Sequence, residues 1–219
     1  MEEYIFRNAT INDVPFLVDT IIEAEKSGTD KLSYSTIFGL SEDDVRKYLS
    51  DMLLEEVDGC ELSISSFILA IADKRIVAAI AAWIEGCEGL PSTVLKGNLL
   101  NYSLPREAMN KALANNLIVR DFHIEYTHNT IQIGLVYVDK AYRGQNLVSL
   151  LMEQQISNLL LKGTNPTAVY LQVFSNNVAA IRAYEKVGFS KVLTKKSTQK
   201  DALLYMPSDS KILMKRELK

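Results

Sequence analysis

The sequence predicts a mixed α+β fold, in which a central mixed sheet carries helices on both faces and receives a helical insertion. Apolar residues recur at helical spacing in some segments and form short runs rich in Ile, Val and Ala in others. The order of these segments mixes a hairpin with βα units, which argues against a doubly wound parallel sheet. The chain has 219 residues, more than a typical domain of about 150. We therefore expect one domain, residues 1–219, with the insertion at about 86–130.

A short strand and two amphipathic helices are predicted first. Tyr4–Phe6 has strand character, and Thr10 and Ser41 are each followed three residues later by an aspartate, a pattern typical of a helix N-cap. The first helix is expected to end at Gly28 and the polar stretch that runs to Ser35. The apolar faces predicted for the two helices consist of Val14, Leu17, Val18, Ile21 and Ile22, and of Val45, Tyr48, Leu49, Met52 and Leu53.

A hairpin and a long insertion follow. Ser66–Ala72 and Ile76–Ile84 are predicted strands on either side of a three-residue turn. The second strand is apolar on both faces, which indicates a covered, central position. Gly86–Thr130 is punctuated by glycine and proline and is too long for a simple connection. Because Arg106–Leu117 has helical character, we expect this segment to form helices packed over the sheet.

Two βα units and closing strands complete the prediction. Ile131–Val138 is a strand, Asp139–Asn146 a loop, and a helix begins at about Leu147 and ends near Leu161. Two adjacent ladders of apolar residues on that helix make a stripe wide enough to cover a sheet. The remaining predicted elements are a strand at Ala168–Phe174, a helix at Val178–Val187 and strands at Phe189–Thr194, Ala202–Met206 and Lys211–Lys215.

The charge and the composition exclude several classes of function. A net charge of −3 argues against a dedicated nucleic-acid binder, although residues 1–60 carry −9 and the remainder +6. The two cysteines and two histidines show no metal-ligand spacing, so no metal site is predicted. No apolar run approaches the ~20 residues of a membrane helix, and no secretory signal precedes the first strand. We expect a cytoplasmic protein that meets neither nucleic acid nor membrane.

Two segments carry residues suited to chemistry. In residues 136–147, a strand ends, a loop bearing Lys140 and Arg143 follows, and a helix begins. Helix N-termini have unpaired N–H groups that favour phosphate, a property common to many βα junctions. In residues 176–189, Asn177 and Tyr184 lie on one helical face. Taken alone, Asn177 reads as a helix N-cap and Tyr184 as a buried aromatic residue.

Taken together, the two segments resemble the GNAT superfamily of acyl-CoA-dependent N-acyltransferases. The shared patterns are V-x-V-x-x-x-Y-R-G, which starts at Val136, and N-x-x-A-x-x-x-Y-x-x-x-G-F, which starts at Asn177. The resemblance is strong over Ile131–Val192, and the order of the other elements outside the insertion is similar. It implies a GNAT-like fold, acetyl-CoA as cosubstrate and no metal.

The resemblance also implies roles for individual residues. Tyr184 would protonate the departing thiolate, since a phenol with a pKa of ~10 stays protonated at neutral pH. Asn177 would form a hydrogen bond near the thiol end of the cosubstrate. The strand residues implied to bind the pantetheine arm and polarise the thioester carbonyl are Val136, Tyr137 and Val138. The residues implied to cradle the pyrophosphate, mainly through main-chain N–H groups, are Arg143, Gly144, Gln145, Asn146, Leu147 and Val148.

The sequence departs from the family pattern at the phosphate loop. Relatives usually have R-G-x-G-x-G or R-G-x-G-x-A, whereas this chain has Asn146 and Val148 at the last two small positions. Asparagine tolerates a left-handed backbone better than most residues do. Val148 adds bulk near the phosphate unless its side chain points into the sheet. We expect CoA affinity that is retained but weakened.

A second departure leaves the general base open. Many relatives have an acidic residue on the strand just before V-x-V, where this chain has Gly134 and Leu135. An ordered water chain without a dedicated protein base is one alternative. The other candidates are Glu125, His123, His128, Glu85 and, through a water, Gln132.

The resemblance implies an N-acetyltransferase in which a primary amine attacks acetyl-CoA directly in a ternary complex. By the same resemblance, the acidic first helices lie on the acceptor side. We therefore expect a cationic acceptor, such as a polyamine, an aminoglycoside-like molecule, or a lysine or N-terminal amine of a peptide. The alternative is a catalytically weak acyl-CoA-binding regulatory domain. Dimers are frequent in the family, and the resemblance leaves open whether this chain forms a homodimer.

Overall fold

Seven strands form one mixed sheet in the computed structural model, which describes residues 4–218. Their order across the sheet is β1-β2-β3-β4-β5-β7-β6. The strands are β1 (Ile5–Asn8), β2 (Phe67–Ala72), β3 (Arg75–Ile84), β4 (Ile131–Val138), β5 (Ala168–Phe174), β6 (Ser190–Lys196) and β7 (Ser210–Glu217). The helices are α1 (Val14–Lys26), α2 (Ser33–Phe38), α3 (Glu42–Leu54), α4 (Ser92–Ser103), α5 (Arg106–Ala114), α6 (Asn116–Asp121), α7 (Leu147–Leu160), α8 (Val178–Lys186) and α9 (Ala202–Tyr205).

Helices cover both faces of the sheet, as the sequence predicts. The alternation along β2 shows how the two faces are divided. Ile68, Ala70 and Ala72 belong to the hydrophobic cluster beneath α7. Phe67 and Leu69 belong to the opposite cluster, with the apolar faces of α1 and α3. Because successive strand residues point to opposite faces, one short strand contributes to both halves of the core.

The predicted helix starts and the predicted hairpin are confirmed. Ser41 accepts a hydrogen bond from the backbone N–H of Asp44 at 3.1 Å and thereby caps α3. Thr10 and Asp13 form a capping box before α1, where the Thr10 backbone N–H donates to the Asp13 carboxylate at 2.8 Å. The strands β2 and β3 pair in antiparallel register from Phe67↔Ala81 to Ala72↔Arg75.

The sheet opens between β4 and β5. These strands are parallel and pair only from Ile131↔Val169 to Ile133↔Leu171, yet β4 continues to Val138 and β5 to Phe174. The opening begins at a bulge, since Gly134 is an extra residue between the β4 positions that pair with β3. A Cβ at this glycine would lie only 2.7 Å from Cζ3 of the Trp83 ring. Glycine therefore lets the indole lie against the bulge.

The insertion between β3 and β4 contains three helices, α4 to α6, and its two ends are held together. The Glu85 N–H donates to the Thr130 carbonyl at 2.9 Å, and the Asn129 N–H donates to the Glu85 carbonyl at 2.9 Å. The buried Glu85 carboxylate also accepts hydrogen bonds from the backbone N–H and the hydroxyl of Ser92, the first residue of α4. The insertion packs mainly against α2 and α3, and Phe122 contacts Phe174 of β5.

One predicted strand, Ala202–Met206, is wrong. The segment forms the short helix α9, where Ala202 and Met206, the residue that caps the helix, are buried while Leu203 and Leu204 are exposed. Burial four residues apart is the pattern of a helical face rather than of a strand. A continuous apolar run of five residues does not distinguish the two, and here tertiary packing decides.

One further helix lies where the sequence predicted none, and a second lies in the expected helical insertion but outside the stretch singled out as helical. The stretch expected to be irregular contains α2, which buries Tyr34 and Ile37 and ends at Gly39 with a φ of 68°. Within the insertion, α4 precedes the predicted helical stretch and buries only Ser92 and Leu99. Both helices lack the repeated apolar face from which helices are predicted.

Candidate active site

A cavity of about 1720 Å³ begins at the opening between β4 and β5. One end lies at the start of α7 and the other beneath α1, α2 and the insertion. Since the strands separate after Ile133, the edge of β4 that faces β5 has no strand partner over residues 134–138 in the described part of the chain. Unpaired N–H and C=O groups on an internal strand edge can bind an extended ligand as a further strand would.

The predicted pantetheine-binding residues lie on this open edge. Val136, Tyr137 and Val138 all line the cavity, while their other edge pairs with β3. Tyr137 also packs against Phe16 of α1, with ring centroids 6.0 Å apart. The strand is thus held on one side and open on the other, as an extended ligand requires.

The loop after β4 has the backbone conformation of an anion-binding turn. Gly144 and Asn146 have φ angles of 81° and 64°, and Asn146 makes no side-chain hydrogen bond to the first turn of α7. The N–H groups at the start of this 14-residue helix therefore remain available, with the positive end of the helix dipole behind them. The predicted tolerance of Asn146 for a left-handed backbone is confirmed.

Hydrogen bonds hold this loop in shape from both sides. The Arg143 Nε donates to the Val138 carbonyl at 3.0 Å, which closes the loop on the end of β4. The Tyr4 hydroxyl donates to the side-chain oxygen of Gln145 at 2.5 Å. Gln145 does not itself line the cavity, whereas Arg143, Gly144, Asn146, Leu147 and Val148 do. Val148 also packs against the cluster beneath α7, so its side chain contributes to the core.

Tyr184 lies on α8 and lines the cavity. Burial raises the pKa of its phenol to about 12, so the hydroxyl stays protonated across the physiological range. Within residues 4–218, that hydroxyl has no hydrogen-bond partner, and the ring packs edge-on against Phe189 with centroids 6.3 Å apart. A protonated phenol open to the cavity is suited to donate a proton to a leaving group.

Asn177 lines the cavity but is also part of the fold. Its side-chain oxygen accepts from the Ala180 N–H at 3.2 Å, as an N-cap of α8, and its amide donates to the Ser27 hydroxyl at 3.3 Å. It thereby links the start of α8 to the end of α1. One amide hydrogen is left for a ligand.

The far end of the cavity is charged. We call it the charged end, and its residues are Glu25, Glu61, Lys96 and Lys211. The Lys96 ammonium lies 2.7 Å from the Glu61 carboxylate, and Glu25 accepts a hydrogen bond from the Ser33 hydroxyl at 2.6 Å. The Lys211 ammonium lies 5.1 Å from the centre of the Phe174 ring, and burial lowers its pKa, an effect that Glu25 partly opposes.

Two tyrosines, Tyr34 and Tyr126, lie among these charged groups. Burial raises the pKa of each, and the nearby Glu61 carboxylate adds to the effect. Both phenols are therefore hydrogen-bond donors rather than bases at neutral pH.

Of the base candidates named from the sequence, only His123 lines the cavity. Glu85 is fully engaged in holding Ser92 and the Trp83 indole N–H. Gln132 is buried and donates to the Thr130 hydroxyl at 2.7 Å. Glu125 and His128 are exposed and lie outside the cavity. Sequence reasoning missed Glu25, Glu61, Lys96 and Lys211. The acidic character of the first 60 residues was a signal for Glu25 only, and no sequence pattern marked the other three.

Within residues 4–218, no group of three or more His, Cys, Asp and Glu side chains is arranged to hold a metal ion. Across the same residues, no helix has the length and apolar character needed to cross a bilayer.

Solved structures of N-acetyltransferases share this fold. An N-acetyltransferase from Staphylococcus aureus Mu50 has a TM-score of 0.64 and 15% identity, over 96% of this chain and 99% of that one. The polyamine N-acetyltransferase of Drosophila melanogaster has a TM-score of 0.60 and 16% identity, over 99% and 100% of the two chains. The PaiA N-acetyltransferase of Thermoplasma acidophilum, solved with coenzyme A, has a TM-score of 0.52 and 15% identity, over 99% of both chains.

Sequence comparisons give the family. A search of curated proteins found no significant match, but the sequence model of the Acetyltransferase (GNAT) family matches residues 37–189, which is most of the chain. The matched region includes the open edge of β4, the loop before α7 and the whole of α8. The chain therefore belongs to the GNAT acetyltransferase family, and it is an acyltransferase.

Proposed function

We propose that the protein transfers an acetyl group from acetyl-CoA to a primary amine by direct attack in a ternary complex. One observation carries the proposal: a single cavity joins the start of α7, the open edge of β4, Tyr184 and the charged end. Both substrates can therefore occupy the cavity at once and meet at β4. Catalysis would come mainly from positioning and from polarisation of the thioester carbonyl.

The proposed roles follow the cavity from end to end. The N–H groups at the start of α7, with Arg143 and Gly144, would hold the pyrophosphate. The open edge of β4 at Val136–Val138 would bind the pantetheine arm and direct an N–H at the thioester oxygen. Tyr184 would give its proton to the departing sulfur, and the free amide hydrogen of Asn177 would point towards the same region.

The proposed acceptor is a cationic small molecule or a peptide amine. Glu25 and Glu61 offer carboxylates that an ammonium group can contact at the charged end. Lys96 and Lys211 limit how many positive charges the site favours, so a monoamine or a peptide terminus suits it as well as a polyamine does. Among the proteins of similar fold, the Drosophila enzyme forms N-acetylagmatine, and one from Brucella melitensis is a ribosomal-protein-alanine N-acetyltransferase, with a TM-score of 0.55. The cytoplasmic location and the homodimer remain predictions.

A second candidate function is that of a weakly catalytic acyl-CoA-binding domain. It is favoured by Asn177, whose side chain is already engaged with Ser27 and the start of α8. Tyr184 favours the enzyme, because its hydroxyl is protonated and has no partner among residues 4–218.

A thiol-release assay separates the two candidates. Acetyl-CoA is mixed with a panel of polyamines, aminoglycosides, amino acids and peptides, and free CoA is measured for the wild type and for Tyr184→Phe. The enzyme predicts turnover with at least one amine and a loss of kcat on the order of 100-fold in Tyr184→Phe, the usual magnitude for a general acid. Acetyl-CoA binding should be intact in the variant.

The matched control is Tyr102→Phe, since Tyr102 is 76% exposed on α4 and does not line the cavity. Its kcat should equal that of the wild type. Calorimetric binding of acetyl-CoA without turnover on any amine would support the regulatory candidate. Acetylation of neutral or acidic amines alone would refute the cationic acceptor.

A further inference from the structure

Glu61 lies at the point where the cavity meets the start of the open edge of β4. It belongs to the irregular segment between α3 and β2. A Cβ built on Gly134 would lie 3.2 Å from the Glu61 Cβ, so this side chain packs directly against the bulge. Its side chain is 12% exposed, and it lines the cavity. The missing side chain of Gly134 thus leaves room for a carboxylate that comes from another part of the chain.

The Glu61 carboxylate is held by one of its two oxygens. The Lys96 ammonium, which α4 supplies, lies 2.7 Å from Oε1. Burial has the largest single effect on the pKa of Lys96 and lowers it, but Glu61, Tyr34 and Glu25 together outweigh burial and raise that pKa well above its ordinary value. Lys96 is therefore a permanent cation that fixes the position of Glu61. Oε2 accepts no hydrogen bond from any residue between 4 and 218.

The other carboxylates near the cavity are less suited to bind an amine. Glu25 accepts a hydrogen bond from Ser33 and comes from the end of α1, while Glu85 is buried and fully engaged. Glu23 and Asp30 also line the cavity, but both are exposed. Among the partly buried carboxylates that line it, Glu61 is the one that packs against the β4 bulge and has an oxygen without a partner in the described part of the chain.

We propose that Glu61 binds the ammonium group of the acceptor through Oε2 and takes its proton, with Lys96 as the residue that positions it. This inference rests on the proposed acetyl transfer. The ammonium nitrogen loses two protons in all as the N–C bond forms and the C–S bond breaks. One passes through Glu61 to solvent, and the second replaces the proton that Tyr184 gives to the CoA sulfur. The sum is one amide, one thiol and one released proton.

The test compares Glu61→Gln with wild type in steady-state kinetics across pH 6 to 10. General bases contribute about 10²–10⁴-fold, so we expect kcat/KM for an alkyl amine near neutral pH to fall by at least 100-fold. The rate of the variant should rise about tenfold per pH unit, because only the amine that has already lost its proton in solution reacts. The wild type should show a much shallower rise. Acetyl-CoA binding and the thermal midpoint of the variant should stay close to those of the wild type.

A second acceptor makes the test specific. An alkyl amine with fluorine atoms on the carbon next to the amino-bearing carbon is largely uncharged at neutral pH. It therefore needs no base to remove its first proton. Glu61→Gln should therefore acetylate it with a much smaller loss than it shows on the unsubstituted amine. An equal loss on both amines would mean that Glu61 only shapes the site, and would overturn the inference.

Two more variants complete the design. Glu55→Gln removes an exposed carboxylate at the end of α3 and should leave kinetics unchanged. Lys96→Met should lower kcat for the alkyl amine and leave acetyl-CoA binding unchanged, because Glu61 loses the ammonium group that holds it in position, and Lys96→Arg should restore kcat. If the wild type is active and the kcat/KM of Glu61→Gln stays within threefold of it across the pH range, this inference alone is overturned. A wild type that binds acetyl-CoA and acetylates no amine would overturn both this inference and the proposed function.

Discussion

Asn146 contributes to the site through its backbone conformation. Its φ of 64° places it in the left-handed region immediately before α7, and asparagine enters that region at lower cost than residues other than glycine. The sequence alone supported this prediction, because the family pattern has glycine at the same position. The conformation of the loop, rather than a side-chain contact, is what this position contributes to the site.

The phosphate loop gives a prediction at Asn146. Replacing Asn146 by alanine should make the left-handed conformation about 1–2 kcal/mol less favourable. If the loop relaxes as a result, CoA affinity should fall by roughly tenfold. Asn146→Gly should bind CoA at least as well as the wild type. Titration calorimetry with CoA measures both.

Asn165 offers a matched control for this prediction. It also has a positive φ, of 47°, but does not line the cavity. Asn165→Ala should lower thermal stability without any change in CoA affinity. Equal CoA affinity in Asn146→Ala and in the wild type would contradict a role for the left-handed turn.

The site divides into residues that the sequence could predict and residues that it could not. Tyr184 and the residues of the phosphate loop belong to continuous segments with recognisable spacing. Glu61 and Lys96 come from an irregular segment and from the insertion, and they meet only through the packing of α4 against α3. No local sequence pattern identifies this pair, because its place in the site depends on packing against Gly134, which is distant in sequence.

At the scale of elements, the junction between β1 and α1 depends on a single carboxylate. Asp13 is 6% exposed, and Arg7 donates two hydrogen bonds to it at 2.7 and 2.8 Å. These bonds, with further ones from Thr10, outweigh burial and lower the pKa of Asp13 to about 2. Strand and helix are therefore joined by a charged contact.

This junction predicts a dependence of stability on pH. The folded pKa of Asp13 is lower than its unfolded value of about 3.9, so its contribution is complete above about pH 5 and is lost as the pH falls from 4 to 2. The contribution should be about 1–2 kcal/mol after allowance for the partial exposure of Arg7. Urea unfolding between pH 2 and 7 should show it, and Arg7→Met should remove most of it.

Lys111→Met serves as the control, because it breaks only an exposed pair with Glu107 on α5. Its unfolding curve should keep the wild-type dependence on pH. If Arg7→Met kept that dependence as well, the pKa of Asp13 would have to be lowered by something other than Arg7.

The misassigned elements share a physical cause. The segments of α2, α4 and α9 are short or lack a repeated apolar face, and each is stabilised by tertiary contacts instead. In α9, the Tyr205 carbonyl accepts a hydrogen bond from the Thr36 hydroxyl of α2 at 2.6 Å. The long elements with a clear apolar pattern, such as the ladders of α7 and the continuous apolar run of β3, were predicted to within one or two residues, because the pattern reflects the core that they form.

At the scale of the whole molecule, charge is unevenly distributed along the chain. Residues 1–60 carry −9 and the remainder +6. The basic remainder includes Lys140 and Arg143 beside the start of α7, where a polyanion is proposed to bind. The acidic part supplies Glu25 to the other end of the cavity.

This distribution predicts that CoA binding weakens with salt. Between about 0.05 and 0.5 M salt, we expect the dissociation constant of CoA to rise roughly threefold to tenfold as exposed charges are screened. Dephospho-CoA, which has fewer charges, should show a smaller rise. Calorimetry on both ligands measures the difference, and a constant affinity over this range would argue against an electrostatic contribution.

The insertion leaves and re-enters the sheet at one place, where Glu85 and Thr130 are hydrogen-bonded neighbours. In topological terms the insertion is one long loop that connects the two strands of a hairpin, because β3 and β4 pair directly with each other. A segment attached in this way can be exchanged without changing the register of the strands. Grafting residues 86–130 between relatives is therefore a route to new acceptor preferences on an unchanged acetyltransferase scaffold, provided that the graft retains a helix start equivalent to Ser92, which Glu85 holds, and a cation equivalent to Lys96.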